Sequence, residues 1–362
     1  MLRLIPKNQQ KRQIPPELAS LGLPERLLEL LLDREIDTPE KIERYLHPKR
    51  EDLLDPMLMQ DMDKAVNVIR DAIEKHEEIT VFGDYDVDGV TATAILLTYL
   101  RKQGAQVGFY IPDRHGEGYG LNIAAIEQIA THSKLLITVD CGITCAAEVA
   151  RAKELGMRVI VTDHHQLGPQ IPECEAVLNP LLGHYPFRRL CGAGVAFKLC
   201  AALDDCTPEE MLDYCGDLAA VGTVADVMPL TGENRTLVKA GLHLLQHSDR
   251  PGLLALLDEV GLGGKPVTAE NVSYAIAPRI NAAGRMDSAV TALQLVLCED
   301  EERAAELAHK LNEINAARQE TEGEIAKAAQ AQLEAEPAIL EDRVILIWGR
   351  DWHPGVIGIV AS

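Results

Sequence analysis

Aromatic side chains are scarce in this 362-residue chain. Phe, Trp and Tyr make up 4% of it against 47% hydrophobic residues in all, so the interior must be aliphatic. Long apolar runs are missing too: none approaches the ~20 residues that cross a bilayer as a helix. The opening MLRLIPKNQQKRQIPPEL has no apolar stretch behind its basic residues, so it does not read as a secretory signal. A soluble, cytoplasmic protein with no membrane partner is expected. Eight cysteines, Cys141, Cys145, Cys174, Cys191, Cys200, Cys206, Cys215 and Cys298, include no C-x-x-C pair. That argues against a thiolate zinc site or a redox pair and leaves reduced, buried small hydrophobes. A basic balance is lacking as well, with a formal net charge of −21. Nucleic-acid binders usually carry a basic footprint, so charge argues mildly against that class. Carboxylates neutralised by metal, and an acidic helix after residue 299, soften the objection, because a narrow groove can stay positive on an acidic body.

What is present begins with a helical preface over residues 1–50, where PERLLELLLDREIDTPEKIERYLHP has helix-spaced leucines and a start signal at Thr38. Apolar strands then alternate with helical segments: Ile79–Gly83 and Val90–Lys102, Val107–Ile111 and Ile123–Ala130, Leu135–Asp140 and Ala146–Leu155, then Val159–Thr162. That alternation predicts an α/β fold with a parallel sheet, right-handed crossovers and helices on both faces. Gly192 to Leu297 reads as mostly helical cover, so residues 51–299 form the expected catalytic domain. Residues 300–336 read as one long charged connecting helix, on the order of 50 Å if continuous. After Pro337 a strand is expected over Arg343–Trp348, and residues 337–362 read as the start of a truncated second domain.

The chemistry concentrates at strand ends. G-D-Y-D-V-D-G, Gly83 to Gly89, follows one strand and precedes a helix, the edge where open α/β sheets bind ligands. Asp84, Asp86 and Asp88 so close together would not all stay ionised without cations. A calcium loop of the EF-hand kind would need Glu at position 95, which is Ile95. The next motifs, V-D-C-G-I and T-D-H-H, bring Asp140 and then Asp163, His164 and His165 to the same edge. One histidine alone is more often structural than a ligand; two at a strand end beside carboxylates reverse the odds. Asp226, in the apolar G-T-V-A-D-V, also needs a cation or strong donors if buried. Asp and His ligands without Cys favour Mn²⁺ or Mg²⁺ over structural zinc, and four converging segments can supply two ions about 3.5–4 Å apart, an arrangement suited to phosphoester hydrolysis.

In these motifs, with P-R-I-N-A-A-G-R-M and W-H-P-G-V-I-G-I-V-A-S following in order, the chain resembles the DHH phosphoesterase superfamily, and within it the RecJ-type single-strand exonucleases. A lone D-H-H would be weak; six motifs in order are specific. The resemblance implies a metal-dependent 5′-to-3′ exonuclease of single-stranded DNA that releases mononucleotides in repair and recombination. Single-strand-binding protein and a helicase are the expected protein partners. It also implies Asp86 on a first ion, Asp88 on a second, Asp140 between them, and His164 and Asp226 completing the second site. Asp84 lies near the first ion, His165 faces the phosphate, and Asp163 is catalytic or orients His164. Arg114, Arg279 and Arg285, which by themselves would read as surface charges, become a clamp for a 5′ phosphate. His353 and Ser362 fall where a second domain closes over the substrate. The family's Gly-Gly-His segment and OB-like module are not found in this sequence, so a chain that folds but works below full activity is expected. Two other readings stand beside this one: a sister DHH enzyme acting on oligoribonucleotides or cyclic dinucleotides, and a non-catalytic strand-binding relative.

Overall fold

The computed structural model describes residues 13–114, 116–118 and 120–362. The first twelve residues of the expected helical preface lie outside the described residues. The rest forms α1 (Pro16–Ala19), α2 (Glu25–Leu32) and α3 (Pro39–Leu46), closed on a small core of Leu18, Leu28, Leu31 and Ile42. Thr38 caps α3 by accepting from the Lys41 amide, and Pro39 at the first helical position loses no hydrogen bond there.

After α4 (Met62–Glu74) the alternation appears: β1 (Ile79–Phe82), α5 (Val87–Lys102), β2 (Val107–Tyr110), α6 (Ile123–Ile129), β3 (Leu135–Val139), α7 (Ala146–Glu154), β4 (Arg158–Thr162) and β5 (Ala176–Leu178). All five strands are parallel, in the order β2-β1-β3-β4-β5. The edge strand β5, three residues long, was not anticipated, because so short a run carries no readable alternation. Side chains leave the sheet alternately. Ile79, Val81, Leu135, Ile137 and Val139 join the main core with α4, α5 and α8 (Gly192–Leu203); Phe82, Leu136, Val159 and Val161 join a second core under α6 and α7. Helices therefore cover both faces, as the sequence implied. The strand order reverses between β1 and β3, which opens a crevice at their carboxyl ends.

The helical cover continues with α9 (Pro208–Ala225), α10 (Gly232–Gln246), α11 (Pro251–Glu259), α12 (Ala269–Asn271), α13 (Ala277–Met286) and α14 (Ala289–Val296). A π turn over Val272–Ile276 joins α12 to α13 and accommodates the ring of Pro278, which crowds the preceding turn of a regular helix. A buried ion pair locks this cover to the preface side. Lys198 on α8 bonds Glu233 on α10 and the Leu54 carbonyl, while Glu233 accepts from the Leu54 amide (2.7 Å) and the Tyr185 hydroxyl (2.7 Å).

The long helix α15 (Glu301–Ala335) packs on α11, α13 and α14. The strand expected over Arg343–Trp348 does not form. That stretch is irregular, Val344, Leu346 and Trp348 are exposed, and among the described residues no neighbouring strand offers its backbone a partner. A final helix, α16 (Pro354–Ala361), docks on α13 and α15. Among the described residues no helix is long and apolar enough to cross a membrane.

Candidate metal centre and substrate edge

The turn after β1 is shaped by its own aspartates. Asp86 caps α5, its Oδ1 accepting from the Gly89 amide at 3.0 Å. The helix therefore starts at Val87, earlier than its apolar pattern suggested, and Asp88 falls in the first turn. Gly89 is required, because a Cβ there would meet the Asp84 backbone at 2.5 Å. Asp88 is held from across the crevice: its Oδ2 and Oδ1 accept from the Gly192 (2.6 Å) and Ala193 (2.8 Å) amides at the start of α8, where a helix N-terminus favours a carboxylate. Added methyls at Gly192 and Gly222 would strike Asp140 (2.5 Å) and Asp88 Oδ1 (2.7 Å), so two glycines let the helices close around the carboxylates.

Asp140 directly follows β3 in a left-handed conformation (φ 60°), which Asp tolerates better than most residues. After β4, Asp163 is fully engaged. Its Oδ1 accepts from the amides of His164 (2.7 Å) and His165 (3.0 Å) and pairs with His165 Nδ1 (2.7 Å), and its Oδ2 accepts from the Ile143 amide (2.9 Å). The expectation that Asp163 orients the His164 ring is thus corrected: the ring it holds is that of His165. Asp226 stands at the C-cap of α9.

Potential ligand atoms gather in three overlapping groups, each within 4.8 Å: Asp84, Asp86 and Asp140; Asp88, His164 and Asp226; Asp140, His164 and His165. His164 Nε2 lies 3.0 Å from Asp140 Oδ1, 3.6 Å from Asp226 Oδ2 and 3.7 Å from Asp88 Oδ2, yet makes no hydrogen bond to a described residue; neither does the buried Asp84 Oδ1. Acceptors ringed by carboxylates and left without donors fit cations. The titration behaviour agrees. Burial, then the charge of Asp86, pushes Asp84 up to about 7. Burial, then Asp88 and Asp86, pushes Asp226 up to about 7. Burial and neighbouring carboxylates also raise Asp86 and, more strongly, Asp140. Burial lowers His164, favouring the neutral imidazole a metal needs. The hydrogen bond to the Asp163 carboxylate raises His165 against its own burial; burial would raise Asp163, but its bonds to His165 and to backbone amides bring it below the ordinary value.

Residues 78–223 match the DHH family, N-terminal domain. The chain is 43% identical to the single-stranded-DNA-specific exonuclease RecJ of Bacillus subtilis, over 92% of this chain and 42% of that protein. To the protein of the same name from Thermus thermophilus it is 42% identical, over 90% and 48%. Among solved structures, exonuclease RecJ bound to manganese superposes with a TM-score of 0.78 at 41% identity, over 85% of this chain and 78% of that one. This chain belongs to the RecJ family. It spans about half the length of the curated RecJ relatives named here. A Thermus thermophilus RecJ in complex with Mn²⁺ superposes with a TM-score of 0.82 at 36% identity, over 96% of this chain and 50% of that one.

The remaining RecJ-motif residues are placed unequally. Arg114 lies over the Tyr85 ring, 4.8 Å from its centroid, and its charge reaches Asp84. Burial, then the charges of Arg114 and Arg318, lowers Arg285, which also donates to the Gly355 carbonyl at 3.1 Å. Arg279 does not join them. It lies six residues before Arg285 on α13, about 120° away around the helix, and donates to Asn312 Oδ1 (2.9 Å) and the Ala275 carbonyl (2.7 Å). His353 caps α16, accepting from the Gly355 amide at 3.1 Å, beside Arg285; Ser362, at the opposite end of α16, donates to the Ile359 carbonyl. Four participants went unnoticed in the sequence. Tyr85 carries Arg114, Asn281 Oδ1 accepts from the Val87 amide (3.2 Å), and the Gly192 and Ala193 amides hold Asp88. Only the run of small residues in C-G-A-G hinted at the last, as a place where backbone comes close.

Proposed function

We propose that this chain carries the catalytic core of a 5′-to-3′ exonuclease that hydrolyses single-stranded DNA to mononucleotides with two Mn²⁺ or Mg²⁺ ions. It would act in the cytoplasm in repair and recombination, on strands passed from a helicase or single-strand-binding protein. The observation that carries the reading is the pair of ligand groups sharing one sheet edge, Asp84–Asp86–Asp140 and Asp88–His164–Asp226. RecJ relatives crystallised with Mn²⁺ and Mg²⁺ support it. Bound there, a pair of divalent ions supplies Lewis-acid polarisation of the phosphoryl group and activation of water. The chain's own residues do the rest. Asp88 is fixed by the α8 amides, and Asp163 holds His165 by Nδ1, raising its affinity for a proton beside the phosphate. Arg114 and Arg285 bring positive charge to the same edge for the terminal 5′ phosphate.

The test is turnover of a labelled, 5′-phosphorylated single strand with Mn²⁺ or Mg²⁺, beside its duplex, a dinucleotide and a cyclic dinucleotide. Mononucleotides released from the single strand support the reading. A preference for dinucleotides makes this a small-substrate enzyme, and strand binding without turnover makes it a non-catalytic relative.

The arginines separate by their contacts. Arg285→Ala should lower kcat/KM on a 5′-phosphorylated strand roughly ten- to a hundredfold, the loss of a charge-assisted contact, and leave 5′-hydroxyl ends nearly unaffected. Arg279→Ala should keep the phosphate preference and act on stability, through Asn312 and α15. Equal losses of phosphate preference in the two variants would return Arg279 to the clamp.

The titrations set a pH dependence. Folded, ion-free protein keeps protons on Asp84 and Asp226 that the unfolded chain releases near 3.8, so between that value and about 7 stability falls as pH rises. Asp86, Asp140 and the raised His165 act in the same direction; the lowered His164 opposes them, adding stability as pH rises toward its unfolded value of 6.5. With chelator present, the Tm should therefore drop by on the order of 5 °C from pH about 5 to about 8, and Mn²⁺ should reverse the drop, since ligands bind deprotonated. A chelated protein that gains stability over this range would show that the cluster already has its donors.

A further inference from the structure

Val227 follows Asp226 and takes φ 55°. Among the described residues, five other non-glycine residues have positive φ (Glu35, Asp61, His76, Asp140 and Asp205), and Val227 alone among them is β-branched. It occupies the position after the end of α9 where Gly is usual: Val227 N bonds the Val224 carbonyl (3.1 Å) and Met228 N the Thr223 carbonyl (3.2 Å), which closes the helix. Nothing in that turn asks for a side chain, and a left-handed backbone disfavours a branched one. Nor does the core use it. Val227 is 86% exposed, whereas Met228 and Leu230 just after it pack against the main core. A stiff apolar group is therefore held out into solvent one residue from a carboxylate whose Oδ2 lies 3.6 Å from His164 Nε2.

We propose that Val227 is a substrate-contacting residue whose isopropyl group packs on the face of the nucleobase attached to the scissile phosphate. The inference rests on the nuclease reading above. The other groups at this edge are carboxylates and imidazoles suited to cations, and guanidiniums suited to phosphate. Tyr85, the aromatic beside them, has Arg114 over its ring. A nucleobase stands one sugar away from its phosphate, and Val227 stands one residue away from the proposed ion ligand Asp226, about 3.8 Å from Cα to Cα across a trans peptide. Strain kept at such a position is explained by what the side chain touches.

The experiment compares the parent chain with Val227→Gly and Val227→Thr on two 5′-phosphorylated oligothymidylates, one carrying an abasic terminal residue. Binding is read by fluorescence anisotropy with Mn²⁺ replaced by Ca²⁺, and KM and kcat with Mn²⁺. Val227→Gly should weaken binding and raise KM on the normal strand roughly three- to tenfold, and make no difference on the abasic strand. It should hold kcat, leave the Mn²⁺ affinity and stoichiometry measured by calorimetry unchanged, and melt no lower than the parent. Val227→Thr, which keeps the branch and loses one methyl, should fall between. Unchanged binding of the normal strand, a penalty that persists on the abasic strand, or weakened Mn²⁺ binding would each overturn the assignment. If the parent binds both strands but cuts neither, the reading of the reaction falls, while the anisotropy comparison still decides the base contact.

Discussion

Asp140→Asn lowers kcat/KM on a 5′-phosphorylated single strand by roughly a thousandfold or more and cuts the Mn²⁺ stoichiometry below two. The size follows from position. Asp140 belongs to the group with Asp84 and Asp86, and its Oδ1 lies 3.0 Å from Nε2 of His164, a member of the group with Asp88 and Asp226, so neutralising it withdraws charge from the first ion position and from beside the second. Disturbing residues that merely support metal ligands already costs about 10- to 100-fold, and losing a carboxylate set between the two proposed ion positions should exceed that. Asparagine is the informative replacement, because it also tolerates the left-handed backbone at this position, whereas larger or branched residues add strain. Folding should survive, and the ion-free variant should be the more stable, since one carboxylate fewer is buried among its own kind. Calorimetric titration with Mn²⁺ and turnover on the same preparation decide the matter. Near-normal turnover, or two ions bound as tightly as before, would move the shared position to another carboxylate.

The second large effect is on stability. Lys198→Met should cost about 3–5 kcal/mol, because it leaves Glu233 buried as an uncompensated charge. Lys198 and Glu233 are almost inaccessible, and burial pulls the Lys198 ammonium below its ordinary value even with its partner in place. Their carboxylate also anchors the Leu54 amide and the Tyr185 hydroxyl, so the damage should reach the segment between the preface and the sheet. Replacing both partners, Lys198→Met with Glu233→Leu, should recover part of the loss by removing the stranded charge. Denaturant unfolding of both variants gives the numbers. A single variant within about 1 kcal/mol of the parent would mean that the pair contributes little more than an exposed one.

Much of this architecture could be read in advance, for a physical reason. Buried parallel strands must be apolar throughout, and the residues that end them are polar because they face a crevice; Asp84, Asp140 and Asp163 therefore stood out at the ends of I-T-V-F, L-L-I-T-V and R-V-I-V-T. Asp226 stood out differently, as a charge in the apolar segment G-T-V-A-D-V. What escaped was whatever depends on a partner distant in sequence. Arg343–Trp348 has the composition of a strand, but composition cannot provide a neighbour. Arg279 and Arg285 look alike in P-R-I-N-A-A-G-R-M, and only the helical angle between them separates an arginine bonded to Asn312 of α15 from one that lies within reach of the charges of Arg114 and Asp86 and bonds the Gly355 carbonyl. That Asp163 serves His165 depends on the turn after β4 folding back on itself, so that two amides and a ring share one oxygen. The backbone amides of Gly192 and Ala193 belong to no side-chain motif at all.

The long helix α15 is two different materials joined end to end. Its first half is anchored by Ala304, Leu307, Ala308, Leu311 and Asn315, all buried against the cover, whereas beyond residue 315 Ile325 is the one fully buried side chain. The second half has its own pairs, Arg318 with Glu322 and Gln330 with Glu334, and few outside anchors, among them Ile325 and the bond from Gln332 to the Trp348 carbonyl (2.8 Å). Pairs of this kind are worth tenths of a kcal/mol each and weaken with salt, and a helix of some twenty residues with few anchors draws little stability from its backbone alone. The anchored half can open only when the domain does, while the other half frays on its own, sooner when warm and sooner in salt. The stiffness of this rod is thus a local property that the surrounding solution can tune without touching the sheet.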